Sequence, residues 1–202
     1  MESRDKNLFS RKLESWLKSR ENKTIGQLDE VFAENSFAIA IMLLMAVPAL
    51  PIPTGGVTHV LEIITLVLVA QIFIGRKNIW IPKRWKKFSL NGKFQQKGLS
   101  GLMKFIRFFE RFSSPRWEGL LASRVGQVIF ASLVSIFTIF AFLAPPFSGL
   151  DTLPAMGVVV LCLSAILKDS LLSILGLILG STGIILTIVL GKAVYSSILR
   201  HI

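Results

Sequence analysis

The chain has 202 residues, 52% of them hydrophobic, and carries 23 Lys and Arg against 12 Asp and Glu, a formal net charge of +11. A mean hydropathy of +0.62, with the charges gathered into a few blocks, excludes an ordinary soluble domain and predicts an integral membrane protein. The length suits one membrane domain of four or five apolar segments with no separate soluble domain. The single cysteine, Cys162, lies inside an apolar run as a small buried hydrophobe, which excludes a disulfide framework and a cysteine metal cluster.

Residues 1–36 are polar and of mixed charge. Phe9, Leu13, Trp16 and Leu17 recur at helical spacing among cations, predicting an amphipathic helix on the membrane surface or docked on the protein. Thr24-Ile25-Gly26-Gln27 has the form of a capping box, and Leu28, Val31 and Phe32 continue it as an apolar stripe. The segment lacks the apolar core and small-residue cleavage site of a secretory signal, so insertion is expected to rely on internal segments.

Residues 37–75 read as a first broken membrane hairpin. Phe37 to Leu50 is fourteen residues without a charge, roughly 21 Å as helix, whereas a bilayer core needs about 30 Å. The helix must then break, because Pro48, Pro51 and Pro53 lack amide donors and Gly55 and Gly56 have little helical preference. Val57 to Gly75 is long enough to cross, yet it carries His59 and Glu62 in its first two turns, three apart and so on one helix face. Ionisable groups beside a broken segment mark a polar site at depth, since freed backbone groups must face protein or a hydrated cavity. Thr54, Gly55, Gly56, Thr58, His59 and Glu62 are therefore the candidate binding residues of this break. The competing reading is that the break lies near the surface and these groups touch interfacial water. Gln71, a turn before Arg76, reads as an interhelical hydrogen bond.

Residues 76–124 hold thirteen Lys or Arg and only two acids, Glu110 and Glu118. By the positive-inside rule this connection is cytoplasmic, and Trp80 and Trp85 among the cations suit the headgroup layer. Leu102, Phe105, Ile106, Phe109 and Phe112 share one face and Lys104, Arg107 and Arg111 another, the pattern of a basic interfacial helix on anionic lipid. Nucleic acid is the other partner such charge could serve. Flanking membrane segments favour lipid.

Residues 125–169 form a second broken hairpin. Gly126 to Ala144 can cross the bilayer. It ends at Pro145-Pro146-Phe147-Ser148-Gly149-Leu150-Asp151-Thr152-Leu153-Pro154, where Asp151 and Thr152 are this break's candidates for the polar site or simply part of an exposed loop. Ala155 to Leu167 is short and stops at Lys168-Asp169, a polar pair that either neutralises itself in a tight turn or sits at depth. In residues 170–202, Ser170 to Gly191 is uncharged and can cross, with Gly176, Gly180 and Gly183 able to admit another helix closely, and a short basic tail follows.

The structural breaks at Pro48, Pro51 and Pro53 and at Pro145, Pro146 and Pro154 suggest an internal duplication. Each is followed by an apolar run ending at a cation, 25 residues from Pro51 to Arg76 and 23 from Pro145 to Lys168. The expected fold is all-α and polytopic, with two proline-broken hairpins that can be re-entrant and are related as parallel or inverted repeats. With two histidines, His59 and His201, no paired metal-ligand spacing, no phosphate-binding glycine loop and no nucleophile elbow, neither a metal, a cofactor nor an enzyme is expected.

The block from Pro48 to Ile64, followed by Gly75-Arg76 and Trp80-Ile81-Pro82, closely resembles the bacterial ExoD family of exopolysaccharide synthesis proteins. Thr24 to Leu28, Phe105 to Arg116, Pro145-Pro146-Phe147, Leu153-Pro154-Ala155 and Lys168-Asp169 agree with it, over about residues 24 to 190. Lys168 stands where that family usually has an arginine or an acid. The resemblance implies a multi-pass protein of the bacterial inner membrane needed for exopolysaccharide production. Two mechanisms are open: a transporter-like module passing an ion, proton or lipid-linked sugar through a polar site between the breaks, or an accessory protein holding synthesis or export proteins together. Anionic lipids, those proteins and a second copy of the chain are the expected partners, with no nucleic acid.

The charge distribution generates a topology test. Cysteines placed at Ser89 and Ser100 should resist an impermeant thiol reagent applied to intact cells and react once the membrane is opened; efficient labelling from outside would reverse the orientation.

Overall fold

The computed structural model describes residues 14–15, 35–51, 57–76, 78–80, 104, 106–111, 113, 123–145 and 148–200, with 191–200 by backbone alone. All regular structure among them is helical: α1 (Ser36–Met45), α2 (Val57–Ile74), α3 (Arg124–Leu143), α4 (Thr152–Leu167) and α5 (Ser170–Arg200). Three of these, α2, α3 and α5 over Ser170–Leu190, are long and apolar enough to cross a membrane. Their outer faces carry exposed Val60, Ile63, Val67, Ile129, Ile136, Ile139, Ile178 and Ile185, which suit lipid and would be costly in water.

The two shorter helices lie inside. Phe37 to Met42 and Met45 of α1, and Val158 to Ile166 of α4, are buried around their whole circumference. A helix apolar on every side belongs in the middle of a bundle. α1 packs on α4 and α2, α2 on α3, and α3 and α5 cover α4.

The α4–α5 pair is the tightest contact. Ser164 Oγ hydrogen-bonds Ser173 Oγ beside the turn, and then Leu161 meets Gly176, Gly157 meets Gly180 and Pro154 meets Gly183, three or four residues apart along each antiparallel helix. A Cβ on Gly157 would lie 2.6 Å from the Gly180 Cα, so both positions must lack a side chain. Lipid tails are as apolar as leucine, and close backbone approach supplies the van der Waals contact that holds such helices together. The glycine ladder expected from the sequence is present, and Phe137 of α3 fills its remaining space against Gly180.

Each end has a local cause. α2 stops in a Schellman motif: Arg76 N–H donates to Gln71 O at 3.0 Å and Gly75 N–H to Ile72 O at 2.9 Å, with Gly75 at φ 86°. Arg124 at the start of α3 donates to Ile72 O at 2.8 Å and to Phe73 O, so a cation closes the negative end of the neighbouring helix. Gln71 accepts from Trp80 N–H at 2.6 Å, holding the outgoing loop rather than another helix. The α4–α5 turn places Lys168 at φ 56° with its side chain exposed, while Asp169 Oδ1 caps α5 by accepting from Leu171 N–H at 2.9 Å. Lys168 and Asp169 thus build a tight turn with separate duties.

Three boundaries differ from the sequence expectation. Helical turns continue past α1, with Ala49 N–H reaching Met45 O at 3.0 Å, so Pro48 lies inside the turn and the chain bends at Leu50 and Pro51. Pro154 does not break the second run, because α4 begins at Thr152 and a proline in a first turn removes an amide that has no helical partner anyway. α5 continues to Arg200 beyond the expected tail, since nothing from Lys192 onward is a helix breaker. Pro53 and Pro146 lie outside the described residues.

In the basic connection the expected division into an apolar and a basic face is present at the described residues, but Ile106 and Phe109 turn the apolar face onto the protein core rather than outward, while Lys104, Arg107, Phe108 and Arg111 are exposed. Arg107 is held at 2.5 Å by Glu14. Phe105 and Phe112 lie outside the described residues.

The glycine contact and the αL turn predict opposite responses. Gly180→Val should lower the unfolding midpoint of the detergent-solubilised protein by an amount corresponding to about 1–3 kcal/mol of overpacking, because its Cβ would lie 2.2 Å from Phe137 Cε2. Lys168→Gly should raise it by about 1 kcal/mol by relieving the left-handed backbone.

Candidate functional site

Thr58, Glu62 and Thr65 recur at four- and three-residue spacing on α2, which puts them on one face; all three are buried, Glu62 completely. His59 stands beside them, its Nδ1 3.4 Å from Glu62 Oε2 and 3.4 Å from Thr58 Oγ1, with 26% of its side chain exposed. The first of these distances brings the imidazole to the carboxylate without the alignment of a hydrogen bond. Neither Glu62 oxygen has a hydrogen-bond partner, nor do Thr65 Oγ1 and Thr138 Oγ1, among the described residues.

The α2–α3 register brings these atoms into one layer. At one end Arg124 meets Ile72 and Phe73, and at the other the Phe142 ring lies 5.1 Å from the His59 ring, tilted at 48°. The helices are therefore antiparallel. Counting inward from the Phe142–His59 contact, Thr138, one turn before Phe142, falls within about one residue of the Glu62 level.

The second break arrives at the same place. Ser148 Oγ donates to Pro145 O at 2.6 Å and accepts from Leu150 N–H at 3.2 Å, and Gly149 takes φ 69°, folding the chain back into α4. Asp151 precedes α4 but makes no side-chain cap, and its carboxylate is within electrostatic range of both Glu62 and His59. Burial raises the Asp151 carboxyl above its ordinary range, and nearby His59 opposes that rise.

Of the residues singled out in the sequence, the fold thus brings together Thr58, His59, Glu62 and Asp151. Thr152 enters α4 as its first residue. Thr54, Gly55 and Gly56 lie outside the described residues. Sequence reasoning missed Thr65 and Thr138: Thr65 continues the Thr58–Glu62 face and was findable by periodicity, whereas an isolated threonine on α3 gives no signal until the helices are paired. No group of three His, Cys, Asp or Glu side chains is placed to hold a metal among the described residues. Cys162 is a buried free thiol within α4.

Helical structure among the described residues, with three helices long and apolar enough to cross a membrane and a carboxylate buried among them, is the pattern of a membrane protein. Residues 9–189 match the family described as "Exopolysaccharide synthesis, ExoD", and the chain belongs to that family, which implies involvement in exopolysaccharide synthesis. It is also 25% identical over 134 residues to an uncharacterized protein of Synechocystis sp., slr1875, a match covering 66% of this chain. The matched region spans 62% of that relative, a little under two thirds of its length. No solved structure matches.

The orphaned hydroxyls predict a stability cost retained at the site. Thr138→Val keeps the shape and removes an unpaired buried hydroxyl, so the unfolding midpoint should rise by the equivalent of about 1 kcal/mol. A fall of that size would show that the hydroxyl is satisfied in the native protein.

Proposed function

We propose that this protein is a small transporter-like module of the bacterial inner membrane, moving an ion or a polysaccharide precursor through the polar site where the two breaks meet. The observation that carries the reading is Glu62: fully buried, on a membrane-length helix, without a hydrogen-bond partner among the described residues, and facing an imidazole and a second carboxylate supplied by the other break. A charge placed so is expensive and serves no packing purpose that glutamine or leucine would not serve better. The short helices support the reading. Ten residues of α1 span about 15 Å and sixteen of α4 about 24 Å, both below the bilayer core, and their enclosure by α2, α3 and α5 lets them act as re-entrant elements of two related hairpins. The chain would act by binding and movement rather than by covalent catalysis, with the basic 76–124 connection on the cytoplasmic side against anionic lipid.

The test is exopolysaccharide output in a strain lacking the native protein, complemented at matched membrane abundance. Glu62→Gln keeps shape and loses only charge and proton exchange, so output should fall to the level of the empty strain while the protein still inserts and folds. Full output from Glu62→Gln would remove the carboxylate from the mechanism and leave the accessory role, in which the chain holds synthesis or export proteins together.

A further inference from the structure

Three ionisable groups line the break side of the bundle: Asp151 at the α3–α4 turn and His59, both partly exposed, and Glu62, with no exposure at all. Among the described residues, no other titratable group faces them. α1 contains none, α3 offers only Thr138 and Phe142 at this level with Arg124 at its far end, and on α4 the charges lie beyond the opposite terminus at Lys168 and Asp169. The identity of the ion follows from what the site offers. A hard metal cation takes about six oxygen ligands. Here the oxygens of Thr58, Glu62 and Thr65 are strung along successive turns of α2, whose carbonyls are engaged within the unbroken helix over Val57–Ile74, and no group of three His, Cys, Asp or Glu side chains is placed to hold a metal among the described residues. An imidazole poised 3.4 Å from the carboxylate adds nothing for such a cation, but it is the side chain best suited to accept and release a proton.

We propose that the ion exchanged at this site is the proton, shuttled by His59 between Asp151 at the mouth and Glu62 in the interior. The inference rests on the transport reading above and names its coupling ion. In the inward step the Asp151 carboxyl gives its proton through intervening water to His59 Nε2, leaving a carboxylate and an imidazolium. The imidazolium then releases its Nδ1 proton to Glu62 Oε2. Asp151 ends ionised, Glu62 neutral and His59 neutral in its other tautomer, so no charge is created and the ring resets by rotation or by exchange with water. Phe142 packed on the imidazole limits that rotation and places the slow step at His59.

Infrared difference spectroscopy on the full chain in lipid nanodiscs tests this, using samples that retain the wild-type circular dichroism. On lowering the pH the wild type should gain a carboxylic-acid carbonyl band that shifts in heavy water; Glu62→Gln should lose it and Glu62→Asp should keep it at an altered frequency. His59→Asn should retain the Glu62 band but slow its appearance after a pH jump by roughly tenfold or more. Sodium added at constant pH and ionic strength should change nothing. Three results overturn the proposal: sodium-dependent loss of the band, which makes the ion a metal cation and leaves transport standing; a band indifferent to pH and heavy water, which makes Glu62 a locked neutral group; or unslowed exchange in His59→Asn, which removes the shuttle. Failure of the transport reading itself is registered separately, by full exopolysaccharide output from Glu62→Gln.

Discussion

α1 and α4 are enclosed by protein on nearly every side, and the remaining helices are arranged by the need to enclose them. Each is too short to cross a bilayer comfortably, so the polar backbone at their ends cannot be left facing hydrocarbon. The glycine ladder is what makes enclosure geometrically possible. Gly157, Gly176, Gly180 and Gly183 let α5 lie directly on α4, and the space this frees is taken by Phe137 of α3. With α4 covered from that side, α1 packs on its other face and α2 closes the group against α3. Leucine-like residues are then free to face outward, where they meet lipid at no cost.

That architecture fixes where a charge can exist. The wall between α2 and α3 is held at one end by Arg124 against the α2 carboxyl terminus and at the other by the Phe142–His59 contact. Between these two anchors lie Glu62, Thr65 and Thr138, each a buried polar group without a partner among the described residues. Burial with incomplete pairing is the arrangement that proteins avoid when stability is the sole concern, and the transport role proposed above would give these groups a purpose. Asp151 completes the arrangement from a different part of the chain, about 90 residues along from Glu62, because the turn at Ser148 and Gly149 returns the second break to the mouth of the first.

The two faces of the charge distribution serve different ends. Among the described cations of the 76–124 connection, Arg76, Lys104, Arg107, Arg111 and Arg124 are exposed, with Arg107 paired to Glu14 and Arg124 donating to the α2 carbonyls. A net positive chain thus coexists with a site that holds two carboxyl groups, and Arg124 lies at the opposite end of α2 and α3 from it.

The sequence by itself pointed to the class of protein, its family, four or five apolar segments and the neighbourhood of both interruptions, because hydropathy, proline and glycine act locally and leave their mark on the residues that carry them. It also pointed to His59 and Glu62, whose spacing on a helix is a local fact. It placed the second helical start three residues late and treated Pro154 as a break, since whether a proline ends a helix or opens one depends on which amides are already unpaired. Only the tertiary structure decided that Asp151 joins the first break, that Thr138 stands near the level of Glu62, and that Arg124 caps a helix on the far side of the basic connection. Those are relations between segments far apart in the chain, set by the register in which helices pack, and no single segment carries that register in its own residues.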